Sequence, residues 1–136
     1  MTNQTNHINH TNHINHINKT AIITGASRGI GAAIAKKLAS CGYNLSLCCR
    51  NSSDRLKALA DELHCAYGIE VLCYTGNVGD FFFAKDMVAN TISHFGHIDV
   101  LINNAGISHI GLLSDMTPEE WNNIVAKARH PLYGCR

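Results

Sequence analysis

The sequence has no excess of either charge. Its 136 residues carry 11 lysines and arginines against 10 aspartates and glutamates, so it lacks the single-sign field by which nucleic acid or an anionic membrane is usually bound. It has no run of 18 or more apolar residues, which leaves no candidate for a membrane-crossing helix. The N-terminus is polar where a secretory signal needs a basic start and an apolar core, and the expected location is cytoplasmic. None of the six cysteines (Cys41, Cys48, Cys49, Cys65, Cys73, Cys135) stands in a C-x-x-C pair, which argues against structural zinc. Cys48 and Cys49, if on a strand, face opposite ways, and free thiols in a reducing compartment are the plain reading. The ligand implied by this balance is small, with neither nucleic acid nor membrane as a partner.

What is present falls into two parts. Residues 2 to 19 form six triplets with asparagine in the middle of each, from Asn3 to Asn18. In an extended helix of three residues per turn, His7, His10, His13 and His16 line one side as a strip able to bind a cation. The plainer reading is a disordered low-complexity extension over residues 1–18, because such a segment cannot bury a core. Residues 19–136 then form one domain, large enough for the chain to bury roughly two thirds of its unfolded surface.

From Lys19 the pattern becomes apolar runs alternating with helical periodicity. Ala21-Ile22-Ile23 reads as a buried strand ending at Thr24-Gly25. Ile30, Ile34 and Leu38 then recur every four residues as a helix face that stops at Gly42. Residues 44–49 read as a second strand, followed by a helix capped by Ser52 or Ser53 with Leu56, Leu59, Leu63 and Ala66 inward and Gly68 at its end. A third strand covers Ile69 to Tyr74. Asp80 caps a helix burying Phe83, Met87, Val88, Ile92 and Phe95, with Gly96 as its stop. Ile98 to Ile102 is the fourth strand. Thr117-Pro118-Glu119-Glu120 combines a threonine cap, a proline at the first helical position and a glutamate able to close a capping box. Strand and helix in strict alternation imply a parallel sheet with helices on both faces, the doubly wound α/β class.

Two motifs carry the chemistry. Thr24-Gly25-Ala26-Ser27-Arg28-Gly29-Ile30-Gly31 lies between a buried strand and a helix N-terminus, where a phosphate-binding loop belongs. Gly25 permits the tight turn, Gly29 lets the backbone approach a pyrophosphate, and Gly31 lets the helix pack closely. Asn103-Asn104-Ala105-Gly106 follows the fourth strand, at the strand ends where open α/β sheets bind their ligands. Together these motifs resemble the TGxxxGxG and NNAG forms of the classical short-chain dehydrogenase/reductase family, over about Lys19 to Val125.

The resemblance implies a Rossmann-type nucleotide-binding fold of strand order 3-2-1-4-5-6-7, here only the first four, 3-2-1-4. It also implies a nicotinamide dinucleotide as ligand and a small carbonyl compound, such as a 3-oxoacyl group, as substrate. The chain most resembles the 3-oxoacyl-carrier-protein reductase group and its close relatives, among them reductases acting on 5-aminopentanone-modified elongation factor P, whose glycine loop and texture over residues 103–113 look similar. By this resemblance Asn104, Ala105 and Gly106 line the cofactor cleft, and Asn77 and Val78 stand at the adenine, Asn77 in place of the family's usual aspartate. The cofactor-side residues are therefore Gly25, Ser27, Arg28, Gly29, Ile30, Gly31, Arg50, Asn77, Val78, Asn104, Ala105 and Gly106. No acidic residue closes strand two to grip the ribose hydroxyls of NAD(H). Arg50 stands there instead and Arg28 projects from the glycine loop, so two guanidinium groups can converge on a 2′-phosphate, favouring NADP(H) over NAD(H). Arg50 as an ordinary solvated strand-end residue is the alternative.

The family's proton donor is a tyrosine with a lysine four residues later, assisted by a serine. No Tyr-x-x-x-Lys occurs in these 136 residues, so no catalytic residue is assigned. Ala128 stands where the resemblance expects an asparagine of the proton relay, and Arg129-His130-Pro131 predicts a helix kinked or ended near His130. Leu132 to Cys135 returns to a family-like texture. Three readings stand: the cofactor-binding half of a reductase whose full-length relatives form homo-oligomers, an inactive dinucleotide-binding module, or a truncated fragment without function.

Overall fold

The computed structural model describes residues 18–106 and 113–128. Strands β1 (Thr20–Thr24), β2 (Asn44–Cys49), β3 (Val71–Thr75) and β4 (Val100–Ile102) alternate with helices α1 (Gly29–Ser40), α2 (Ser53–Tyr67) and α3 (Phe81–Phe95). A 3-10 turn at Leu113–Asp115 precedes α4 (Pro118–Ala128). All neighbouring strands are parallel, as the alternation requires, and the order is β3-β2-β1-β4, as the family resemblance implies.

Because successive strand residues face opposite sides, β1 and β2 feed two cores. Ala21, Ile23, Leu45, Leu47 and Cys49 pack on one face against Ala35 and Ala39 of α1 and Leu56, Leu59 and Leu63 of α2. Ile22 and Cys48 pack on the other against Ala84, Met87 and Val88 of α3. The adjacent thiols thus sit on opposite faces. Ser46 is fully buried on β2 and bonded to Thr91 of α3, hydroxyl to hydroxyl at 2.8 Å. Thr91 donates its proton to the carbonyl of Met87 at 2.7 Å, so Ser46 is the donor of the pair.

Strand β2 has the bounds expected, whereas β3 and β4 begin two residues late. At β3 the amide of Glu70 donates to Asn44 Oδ1 (3.0 Å) and the carbonyl of Ile69 meets His64 Nδ1 (2.7 Å). The Asn44 side chain thus takes the Glu70 amide that a longer ladder would use, while the Glu70 carbonyl still accepts from the Leu45 amide at 3.0 Å. Ile69 remains buried, in core contact without being strand. At β4 the Thr20 amide donates to Asp99 Oδ2 (2.7 Å), and the same oxygen lies 3.1 Å from His97 Nε2.

The helix faces need correction too. On α1 the buried line is Gly31, Ala35 and Ala39, one residue round from the expected stripe. Ile34 and Leu38 are half-buried at its flank, and Ile30 is 72% exposed. This helix lies too close to its neighbours for large residues to face inward. On α2, Leu56, Leu59, Ala60 and Leu63 are buried while Ala66 is exposed. On α3, Ala84, Met87, Val88 and Thr91 are buried, Phe83 and Phe95 are half-buried, and Ile92 is exposed.

Most helix ends follow the expected chemistry. Asp80 Oδ1 accepts from the Phe83 amide at 3.0 Å, and Gly68 and Gly96 close α2 and α3 at φ +68° and +87°. Ser52 caps α2 by position, without a side-chain bond. At α4 the Glu120 amide donates to Thr117 Oγ1 (3.2 Å) and the Thr117 amide to Glu120 Oε2 (2.8 Å), the reciprocal pair of a capping box. The break expected near His130 and the extension before Asn18 lie outside the described residues. Among the described residues no helix is long and apolar enough to cross a membrane.

Candidate functional site

The C-terminal ends of the four strands open into one cleft of about 360 Å³. Its floor is set by the turn after β1. Gly25 takes φ +64°, a conformation that side chains resist. The Ala26 amide donates to the Cys48 carbonyl at 2.9 Å, which ties the turn to β2. Gly29 takes φ +60° and begins α1, with nothing within 4 Å of where its Cβ would stand. Arg28 is the cap residue of α1, but its side chain makes no capping bond, and the first turn holds no acidic residue. The helix therefore presents uncapped N–H groups and the positive end of its dipole beside the cleft, an arrangement suited to an anion.

The glycine turn is latched to the segment after β4. Thr24 Oγ1 accepts from the amides of Asn104 (3.1 Å) and Ala105 (3.0 Å), and it reaches the Ile102 carbonyl at 3.5 Å. Asn104 Nδ2 donates to the Gly25 carbonyl at 3.1 Å. Gly31 fits into this latch. A Cβ there would stand 2.2 Å from the Gly25 oxygen and 2.7 Å from Asn104 Nδ2. Its small size thus serves the contact between the two motifs more than packing on the sheet at large.

Of the residues singled out in the sequence, Gly25, Ser27 and Arg28 line the cleft from the turn, and Arg50 from the end of β2. Asn77 and Val78 line it beyond β3, and Asn104, Ala105 and Gly106 beyond β4. Gly29, Ile30 and Gly31 stand behind this lining, at the start of α1. Arg28 and Arg50 are both exposed, and neither is ion-paired among the described residues. Asn77 spends its Oδ1 locally, accepting from the Gly79 amide at 3.0 Å. The Val78 side chain belongs to the α3-side core, so only its backbone side is offered to the cleft.

Sequence reasoning passed over Thr24 as more than the start of a motif, and it passed over Asn51, Ser52 and Gly76, which also line the cleft. A polar residue ending an otherwise apolar buried strand was the available signal, since a buried hydroxyl must find partners. Cys48 and Cys49 reach the lining as well, but their thiols are buried. Burial, with a smaller contribution from Cys49, pushes the Cys48 thiol from 9.0 up to about 12. It is therefore a packed apolar group and not a nucleophile.

The family described as short chain dehydrogenase matches residues 19–131. The chain is 39% identical over 117 residues to the 3-oxoacyl-[acyl-carrier-protein] reductase FabG of Staphylococcus epidermidis, covering 86% of this chain and 48% of that protein. Among solved structures it is similar to an alcohol dehydrogenase from the archaeon Thermococcus sibiricus complexed with 5-hydroxy-NADP. That likeness has a TM-score of 0.77 and 36% identity, over 84% of this chain and 50% of the other. A short chain dehydrogenase/reductase from Burkholderia phymatum in complex with NAD gives a TM-score of 0.76 and 30% identity, over 85% and 42%. The chain thus spans about half the length of the relatives it matches. Its matching family model, parallel 3-2-1-4 sheet and latched glycine turn lead to one assignment: the chain belongs to the short-chain dehydrogenase family.

Proposed function

We propose that this chain is the NADP(H)-binding half of an oxidoreductase that reduces a ketone, such as a 3-oxoacyl group. The observation that carries the reading is the pair of exposed guanidinium groups of Arg28 and Arg50, neither ion-paired among the described residues, on the same cleft as the glycine turn. The residues present fit a dinucleotide. Gly29 leaves open space beside the uncapped start of α1, and Gly25 and Gly31 keep the turn free of side chains. In this reading the α1 N–H groups around Ile30 hold the pyrophosphate, and Arg28 and Arg50 hold the 2′-phosphate. Asn77 meets the adenine, and Asn104, Ala105 and Gly106 form the wall of the cleft beyond β4.

The cofactor, when bound, supplies the hydride. These 136 residues contain no Tyr-x-x-x-Lys to supply the proton, so the chain by itself binds without turnover. A cytoplasmic location, and a homo-oligomer in full-length form, belong to the same reading. Titration of the 136-residue chain with NADPH and NADH, followed by nicotinamide fluorescence, tests it. The expected result is a Kd for NADPH lower by about tenfold or more, as two charge-assisted contacts to one phosphate imply, with no ketone-dependent oxidation. Absence of binding, or equal affinity for both nucleotides, overturns it.

A further inference from the structure

Gly76 stands on the cleft wall between β3 and Asn77, and its backbone is not in the left-handed region. Its lack of a side chain is explained by one neighbour. A Cβ at Gly76 would lie 2.3 Å from Phe83 Cε2, 2.6 Å from Cδ2 and 2.7 Å from Cζ, so the ring fills the space a side chain would take. Of three successive phenylalanines at the start of α3, Phe81 and Phe82 are exposed and only Phe83 turns inward.

The segment between these two residues is pinned at both ends. The Gly76 amide donates to the Cys49 carbonyl at 2.9 Å, which fixes it to β2. The Asp80 amide donates to the Asn77 carbonyl at 2.9 Å, and Asp80 Oδ1 in turn accepts from the Phe83 amide at 3.0 Å. The short turn carrying Asn77 and Val78 is thus held by backbone hydrogen bonds at both ends, and the Phe83 ring lies against Gly76 at its start.

We propose that Phe83 is a positioning residue for nucleotide binding: its ring, seated on Gly76, sets the height of the Asn77-Val78 wall at the adenine end of the cleft. The assignment rests on the NADP(H) reading given above. Phe83 touches no ligand in this role. It acts through Gly76, and the two residues form one unit.

The test is a double-mutant cycle of Gly76→Ala and Phe83→Ala in the 136-residue chain. It is read by the Kd for NADPH, for 2′,5′-ADP, which holds only the adenine end, and for reduced nicotinamide mononucleotide, which holds only the other. Each single variant is expected to weaken NADPH and 2′,5′-ADP by the same factor, about tenfold, as displacement of a binding wall implies. Reduced nicotinamide mononucleotide is unchanged. In the Phe83→Ala background Gly76→Ala adds little, because the ring it meets is gone. Phe83→Tyr keeps the ring and restores binding, and Phe83→Leu gives the same pattern with a smaller factor should Phe83→Ala not fold. Wild-type binding of 2′,5′-ADP with unchanged variants, additive losses, or equal weakening of all three ligands overturns the Phe83 assignment alone. A folded wild-type chain that binds neither NADPH nor 2′,5′-ADP overturns the nucleotide reading and this assignment with it.

Discussion

Asn104 Nδ2 and the carbonyl oxygen of Gly25, 79 residues apart in sequence, are joined by a hydrogen bond of 3.1 Å. With the two amides held by Thr24 Oγ1, this bond makes the glycine turn and the segment after β4 a single rigid floor for the cleft. Neither motif has its shape alone, because the turn exposes a carbonyl that the other must satisfy.

Gly31→Ala is expected to strain this floor. Its Cβ would meet the Gly25 carbonyl at 2.2 Å, and backbone yields less readily than a flexible side chain. A loss of about 1–3 kcal/mol follows from overpacking of this kind, and urea unfolding reads it as a lower midpoint. An unchanged midpoint contradicts the contact.

Thr24→Val removes the acceptor of two amides while keeping the shape of the side chain. Leaving these two part-buried donors unpaired costs up to about 1–3 kcal/mol each, so denaturant unfolding should show a loss, and Thr24→Ser should recover most of it. A valine variant as stable as the parent would show that water replaces the hydroxyl.

Arg50→Asp tests the proposed cofactor preference. An acidic residue at the end of β2 repels a 2′-phosphate and can accept from ribose hydroxyls. NADPH affinity should fall by about tenfold or more while NADH affinity holds or rises, a change that follows from losing one guanidinium contact to phosphate and adding a like charge. Parent affinity for NADPH should also fall more steeply with salt than affinity for NADH. A variant whose NADPH affinity is unchanged assigns Arg50 to solvent.

The buried Cys48 thiol couples stability to alkaline pH. Its ordinary value of 9.0 is raised to about 12 in the fold. Below pH 9 the thiol is protonated in both folded and unfolded chains, and its contribution is complete. Between 9 and 12 the unfolded chain ionises while the folded chain does not, so stability falls as pH rises, by up to about 1.4 kcal/mol per pH unit. Cys73, also raised mainly by burial, adds in the same direction. Denaturant unfolding from pH 8.5 to 10.5 should show a shallower decline in Cys48→Ala than in the parent. At pH 8, thiol reagents should label the exposed Cys41 and Cys65 before Cys48.

Much of this could be read from residue order. Asp80, Gly68, Gly96 and the Thr117-Glu120 box mark helix ends by local chemistry, which depends on neighbours three or four residues away. β2 could be bounded because its apolar run is closed by polar residues on both sides. β3 and β4 begin two residues later than the apolar runs suggest because Asn44 Oδ1 takes the Glu70 amide and Asp99 Oδ2 takes the Thr20 amide, contacts between neighbouring strands that residue order does not show. The α1 face was misread for a related reason. Ile30 is the larger apolar residue, but the helix approaches the Gly25 turn so closely that Gly31 and alanines take the inner line.

By itself the sequence determined the α/β alternation, and so a parallel sheet, and the two motifs at the strand ends, because periodicity and glycine content are local properties; the order 3-2-1-4 came from the family resemblance those motifs carry, and the sheet has it. The tertiary structure alone decided that Thr24 and Asn104 bind these motifs into one floor. It also decided that Arg28 and Arg50 share a cleft, and that the Phe83 ring occupies the space where a Gly76 side chain would stand. These are contacts between residues far apart in the chain or turned by a helix start, and their distances are fixed only when the sheet closes and each backbone group must find its partner.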